Sequence, residues 1–350
     1  MKTARILLLF IFATAAFAQD APLSQQEYVK MLYSLDTNFG EKDSIVEALR
    51  RRGINFELTA GIRSLTRTKA RNDADLRQAL EEADRRRQNP SAAKPPSKAE
   101  ADELIAKARA KTLEAVGEMP DFVVKQQIQR SQAFAGTNNF RNLDRLVVAV
   151  SYRASGQEDY RVLSVNGIIQ PAPEVKRSYE EFGGTSSTGE FVTVLATIFK
   201  PESDTLFNVV DTALIRERPA VMFDYAVDRD KAKQQIAYGN SGRSSAITGM
   251  RGRVWIDREN HRVLRIESEA TEIPEGFPIT SAKRVIDYDW TSISEEDYLL
   301  PLLSDVRLTF RESGRNFETR NVIRFRDYQK FGSEVIILDD DDSPIEEDQP

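Results

Sequence analysis

Downstream of Pro120, apolar and polar residues alternate with period two, and they do so with little interruption as far as Tyr328. Alternation at that period sends successive side chains to opposite faces of a strand, so this part of the chain is committed to a sheet. The stretch Arg251 to Ala270, RGRVWIDRENHRVLRIESEA, shows the rule most clearly. Val254 and Ile256 point one way and Arg253 and Trp255 the other; beyond Asp257-Arg258-Glu259-Asn260-His261, Leu264 and Ile266 alternate with Val263, Arg265 and Glu267. Asp257 can bond its own backbone, and Asn260 or His261 tolerates positive φ, so the five residues predict a tight reversal between two strands. Leu264 and Ile266 are expected together on the apolar side.

The same periodicity predicts strands over 121–129, 144–152, 160–166, 206–216, 219–227, 233–238, 252–257, 262–272, 283–292, 302–312 and 315–328. Short turns between them imply a meandering antiparallel sheet. Val221, Phe223, Tyr225 and Val227 share one face of a strand, as do Ile286, Tyr288 and Trp290, and Val306, Leu308 and Phe310 stand opposite Arg307, Thr309 and Arg311. An apolar face of this size must be covered, and the available covers are helices predicted over 99–116 and 188–199. The expected fold class is therefore α+β: a curled antiparallel sheet, or half-barrel, packed on helices and preceded by a small all-helical module.

That module is predicted over 19–87. Ser24 with Glu27 forms a capping box ahead of Tyr28, Met31 and Leu32; Asp43, Thr59 and Asp73 are candidate caps of three further helices, and Gly53 stands at a helix stop. Residues 88–98, QNPSAAKPPSK, read as a linker, and 99–337 as the β half-barrel domain. Residues 338–350 hold Asp339 to Asp342, Glu346, Glu347 and Asp348, an acidic tail predicted to stay solvated.

Residues 1–18 carry Lys2 and Arg5, the apolar run Ile6 to Phe12 and then Ala16-Phe17-Ala18, the layout of a secretory signal peptide cleaved near Ala18/Gln19. A periplasmic or secreted product is expected, without a membrane span, because no later segment approaches the roughly 20 apolar residues a spanning helix needs. The chain has no cysteine, which removes disulfides, thiol nucleophiles and thiolate metal sites, and also an N-terminal lipid anchor. A net charge of −6 argues against nucleic acid as a partner. Arg50-Arg51-Arg52 and Arg85-Arg86-Arg87 lie in acidic helical surroundings and read as solvated helix faces.

Two resemblances add to this reading. Leu49-Arg50-Arg51-Arg52-Gly53-Ile54-Asn55-Phe56-Glu57-Leu58-Thr59 resembles the centre of a short helical module found ahead of other domains in exported bacterial proteins. From Asp121 to Phe331, the phrases Glu158 to Gly167, Gly252 to Asp257, His261 to Glu267, Val285 to Tyr288 and Tyr298 to Pro301 resemble uncharacterised exported proteins of acidobacterial type. In broader shape this region is similar to the periplasmic lipoprotein-carrier and lipoprotein-sorting half-barrels. That resemblance implies an incomplete barrel curled around helices, whose apolar concave face receives acyl chains or a partner's peptide.

Catalytic chemistry finds little support. His261 is the only histidine, so a Ser-His-Asp triad is left with a turn residue and a site of several histidines is excluded by count. Asp287 with Asp289, and Glu267 with Glu269, are paired carboxylates on charged strand faces, where solvation disfavours acid-base work. Gly183 to Gly189 lacks the Lys-Ser/Thr of a phosphate loop and reads as a mobile connector. No enzyme activity, metal or cofactor is expected. The candidate ligand-binding residues are Phe207, Phe223, Tyr225, Trp255, Trp290 and Phe310, which either complete an ordinary core or line an apolar cavity. The function read from this is non-enzymatic binding of an amphiphile, lipid or apolar peptide in the half-barrel. The alternative is a cell-envelope scaffold with a closed core and partner binding through 24–87.

Overall fold

The computed structural model describes residues 21–91, 94, 96–137, 139–171, 185–238 and 244–331. The expected signal peptide, the acidic tail, part of the linker, and Gly183 and Gly184 lie outside the described residues. The chain divides into two compact units between Lys94 and Pro95.

The first unit holds helices α1 (Gln25–Ser34), α2 (Lys42–Arg52), α3 (Ala60–Lys69) and α4 (Ala74–Gln88). Ser24, Thr59 and Asp73 accept from the third amide along, at 3.2, 3.4 and 3.0 Å, and so cap α1, α3 and α4. Asp43 is not a cap: α2 begins one residue before it, with Glu41 at the N-cap. Gly53 leaves α2 at φ +67°, a conformation favouring glycine. Tyr28, Leu32, Leu49, Leu76 and Leu80 fill the core of the unit.

The second unit opens with α5 (Lys98–Gly117), capped by Ser97, and continues into one antiparallel sheet. Its strands are β1 (Phe122–Phe134), β2 (Arg141–Tyr152), β3 (Glu158–Val165), β4 (Ile168–Ile169), β5 (Leu206–Ile215), β6 (Arg218–Val227), β7 (Gln234–Tyr238), β8 (Ser244–Asp257), β9 (Val263–Thr271), β10 (Ile279–Ile293), β11 (Glu296–Glu312) and β12 (Arg315–Lys330). Their order is β4-β3-β2-β1-β12-β11-β10-β9-β8-β6-β5, with β7 paired to the first half of β8. The sheet curls without closing, and the fold is α+β.

The order contains one long-distance step. The chain leaves β4 at one edge and re-enters at β5 at the other, so the connection over 170–205 must cross the sheet. It carries α6 (Thr193–Phe199), which packs with α5 on the inner face. There Leu104, Ala108, Ile198 and Phe199 meet Phe223, Tyr225, Val254, Ile266, Ile286 and Tyr288, all buried. Burial of each large side chain of this kind contributes roughly 1.5–3 kcal/mol.

The Arg251 to Ala270 hairpin forms as its alternation demands, and His261 takes φ +63° while the Asp257 carboxylate accepts from the amides of Glu259 and Asn260 at 2.8 and 3.0 Å. One expectation fails inside it. Leu264 and Ile266 do not share a face, because Trp255 pairs with Arg265 and Ile256 with Val263, leaving Leu264 as an extra residue. That bulge turns Leu264 onto the outer face against Trp255, while Val263 and Ile266 face inward.

Candidate functional site: the segment crossing the inner face

Before α6, residues 185–192 form a strap lying on strands from both halves of the sheet. Thr185 Oγ1 is 2.7 Å from Thr319 Oγ1, and Asn321 Nδ2 donates to the Thr185 carbonyl at 2.6 Å, tying the strap to β12. Arg284 and Tyr288 on β10 donate to the carbonyls of Thr188 and Glu190, each at 3.2 Å. The Gly189 amide donates to Glu158 Oε2 on β3 at 3.1 Å. Phe191 anchors the strap in an aromatic pocket, with ring centroids 5.2 Å from Phe122, 5.8 Å from Tyr152 and 5.6 Å from Phe325.

These contacts correct two expectations. The described part of the glycine-rich stretch is pinned by hydrogen bonds, and the helix expected over 188–199 starts only at Thr193. Gly189 explains the late start: it sits at φ +81°, and a Cβ there would lie 3.1 Å from Thr193 Cβ.

Beneath the strap lie two acidic side chains. Glu190 is fully buried; its Oε1 accepts from the Ser187 hydroxyl, while its Oε2 has no hydrogen-bond partner among the described residues. Glu158 accepts from the Tyr160 hydroxyl and the Gly189 amide through Oε2, and its buried Oε1 is likewise without a partner. Burial pushes the Glu158 carboxyl above the usual glutamate range; its two hydrogen bonds oppose the rise, and the Glu190 charge adds to it. Gln126 and Ser304, both buried, also carry side-chain polar atoms without partners among the described residues. Burial holds the hydroxyls of Tyr225, Tyr288 and Tyr328 well above the usual tyrosine range.

Beside α6 a cleft of ≈ 720 Å³ opens, with Val116, Tyr152, Val192 and Ala196 on its walls and Lys200 and Lys233 among its polar groups. It is a mixed surface, unlike the interior of an acyl-chain tunnel.

The six residues singled out as lining do not converge on one space. Phe223 and Tyr225 are buried on the inner face, and Phe207 stacks on Phe199 of α6 at 5.7 Å. Phe310 lies in a separate cluster with Ile236 and Ile279, 5.8 Å from Tyr238. Trp255 is buried on the outer face with Met222 and Leu264, and Trp290 is 40% exposed at the end of its strand. Sequence reasoning missed Glu158, Glu190 and Phe191; the signal available was Glu190-Phe191 beside a glycine with no amphipathic partner positions before it.

The paired carboxylates are bound up in ion pairs. Asp287 meets Arg216 and Arg265 at 3.7 and 3.5 Å, Asp289 meets Arg216 at 3.4 Å, Glu267 meets Arg265 at 3.3 Å, and Glu269 meets Arg251 at 3.2 Å. In the helical unit the arginine clusters serve similar contacts: Arg52 forks onto Glu27 at 2.7 and 3.0 Å, Arg87 reaches Asp84 at 2.8 Å, and Arg86 donates to the Arg50 carbonyl at 2.8 Å. The Arg52 fork holds the Glu27 carboxyl below its usual range.

No helix among the described residues is long and apolar enough to cross a membrane. No family model matches the chain, and no curated protein matches it. Among solved structures it is similar to a DUF1329 family protein from Desulfovibrio piger, at 9% identity and a TM-score of 0.28, over 67% of this chain and 94% of that one. It is also similar to chains in two structures of MucB with MucA, one of them from Pseudomonas aeruginosa, each at 11% identity and a TM-score of 0.16, over 63% of this chain and 94% of the other.

Proposed function

We propose that the protein is a non-enzymatic binding protein of the cell envelope that takes an extended apolar segment of a partner protein along strand β5. The observation that carries this reading is a contrast within the sheet. Its inner face is occupied by α5 and α6, whereas β5 at the edge exposes Leu206, Val209 and Leu214 at 69, 41 and 46%. Edge strands are ordinarily protected by lysine, proline or short length. β5 has ten residues, LFNVVDTALI, with neither lysine nor proline, and only a register shift between Val209 and Asp211 interrupts it. An added strand would pair along its accessible first half, residues 206–209, while pockets beside alternate residues supplied selectivity.

Fluorescence anisotropy with a labelled extended peptide of alternating valine and threonine tests this. Saturable binding to the intact protein, lost in Val209→Lys and Leu206→Lys, is expected. Equal binding by wild type and both variants would sink the reading.

A second reading, capture of an amphiphile with an anionic head, is favoured by the cleft beside α6, where Tyr152 and Val192 lie near Lys200 and Lys233. It predicts that a fluorescent fatty acid binds and that Lys200→Glu weakens it. Mass spectrometry of organic extracts from protein purified without detergent would then show a bound lipid, and an empty extract together with no fatty-acid binding would dispose of it.

A further inference from the structure

We propose that the cleft beside α6 is the seat of this chain's own C-terminal segment Val335-Ile336-Ile337-Leu338, with the acidic run Asp339 to Asp342 behind it. The point at which the chain leaves the sheet argues for this occupant. Phe331, after which the described residues end, donates its amide to the Asp121 carbonyl at 3.2 Å, and the Arg153 guanidinium lies 3.2 Å from the centre of its ring. The Asp121 carboxylate accepts in turn from Arg153 and from the Ala154 amide, at 3.1 and 2.7 Å. Tyr152, Ala154, Ser155 and Gly156, at the turn held by these bonds, also line the cleft, so the chain beyond Phe331 sets out from the cleft's mouth.

Reach and chemistry both suit the segment. α6 turns Thr193, Ala196, Thr197 and Lys200 toward the cleft, one helical face at spacing i, i+3, i+4 and i+7, while Val194, Leu195, Ile198 and Phe199 pack on the sheet. An extended residue spans about 3.3 Å, so Val335 to Leu338 stand between about 13 and 23 Å of chain beyond Phe331, enough to follow the roughly 10 Å from Thr193 to Lys200. Four adjacent aliphatic side chains are unfavourable in water, and Val116, Tyr152, Val192 and Ala196 offer them apolar wall. The order also agrees. Tyr152 stands near the start of α6, 5.8 Å from the Phe191 ring, and Lys200 stands past its end, so the apolar run meets the apolar wall before the aspartates reach the lysines. Lys200, Lys231 and Lys233 line the cleft against Glu202 and Asp230; Asp204 engages Lys231 at 2.9 Å, and the exposed Lys200 and Lys233 are the cations that Asp339 to Asp342 meet.

Seating has a defined consequence: the segment fills the cleft in the resting protein, and an amphiphile entering there has to displace it. The inference rests on neither functional reading. It needs no strand added to β5, and it makes the chain's own segment the competitor of an amphiphile for the same walls.

Disulfide trapping in the full chain tests the contact, and the absence of cysteine from the sequence removes any background. Ile337→Cys combined with Thr197→Cys is expected to close an intramolecular disulfide on mild oxidation, read as a mobility shift of the monomer that reductant reverses. It should form about tenfold faster than the disulfide between Ile337→Cys and Thr280→Cys, because proximity raises the effective concentration of the two thiols. Thr280 is exposed near the start of β10, at the end of the sheet away from Phe331. Adding Lys200→Glu and Lys233→Glu should slow the Thr197 trap about fivefold, as loss of partly exposed ion pairs does. If Thr197→Cys disturbs the fold by circular dichroism, Lys200→Cys at its exposed site replaces it. Trapping at Thr280→Cys as fast as at Thr197→Cys overturns the proposal, and so does a disulfide formed only between two molecules, which would seat the segment on a second copy. The trap is read without added lipid, so its failure leaves the amphiphile reading standing.

Discussion

The Tyr225 hydroxyl on β6 donates to the Glu267 carbonyl on β9 at 3.0 Å, reaching past Gly252 on the intervening strand β8. The glycine makes the approach feasible. A Cβ at 252 would sit 1.9 Å from the Glu267 oxygen and 2.9 Å from Ser268 Cα, both backbone atoms that cannot step aside. Gly252→Ala is expected to destabilise the second unit by about 3 kcal/mol or to prevent its folding, since overpacking against backbone costs at the upper end of the usual range. Tyr225→Phe, which removes only the hydroxyl, should cost about 1 kcal/mol. Urea unfolding of the two variants checks the order; a Gly252→Ala protein as stable as wild type would refute the account.

Arg216 holds the outer face together in a different way. It sits at the tip of the β5–β6 hairpin, yet it pairs with Asp287 and Asp289 and donates to the Tyr288 carbonyl, all on β10, two strands beyond β6's neighbours. The hairpin tip therefore folds across β8 and β9, which is why Trp255, Leu264 and Met222 are buried on a face expected to be charged. Arg216→Ala is expected to cost about 1 kcal/mol, as exposed ion-pair networks do, and to shift Trp255 fluorescence to longer wavelength. A Trp290→Phe background isolates that signal, and an unchanged emission maximum would show that the hairpin tip does not depend on the arginine.

Period two made the strands legible because each buries one face, and the Asp257 to His261 turn was legible because asparagine, aspartate and histidine carry its chemistry locally. Leu264 was not, since a bulge is set by pairing with Trp255 and Ile256 and leaves no mark in the strand's own alternation. The outer-face cluster escaped notice for a related reason: Trp255 among arginines looks solvated until a hairpin from the sheet edge covers it. The strap depends on the jump from β4 to β5, a property of strand order that no local pattern encodes. The six candidate lining residues illustrate the limit, because a shared aromatic character says nothing about whether two strands bring them to one place.

Phe191 is the mechanical anchor of the crossing segment. It is 1% exposed and touches aromatic rings from β1, β2 and β12, so truncation leaves a cavity lined by strands that cannot collapse toward one another. Phe191→Ala is expected to cost roughly 3–5 kcal/mol, the range for a buried aromatic in a rigid site. Because α6 follows directly, protease cleavage within 185–199 should accelerate more than cleavage elsewhere in the sheet. Uniform loss of protease resistance would mean that the strap and the sheet unfold as one.

Alkaline titration separates buried tyrosines from the rest of the ten. Burial raises Tyr225, Tyr288 and Tyr328 well above the usual range, and each hydroxyl donates to a backbone carbonyl, of Glu267, Glu190 and Pro301 respectively. A tyrosine with a raised folded-state value stabilises the fold fully below its unfolded value of about 10 and loses that contribution as pH climbs above it. After a pH jump, the phenolate absorbance should rise at once for exposed tyrosines and only with unfolding for these three and for Tyr28, which is buried in the first unit and likewise raised. Immediate ionisation of all ten would place the three hydroxyls in contact with water and contradict the packing of α5 and α6 on the inner face.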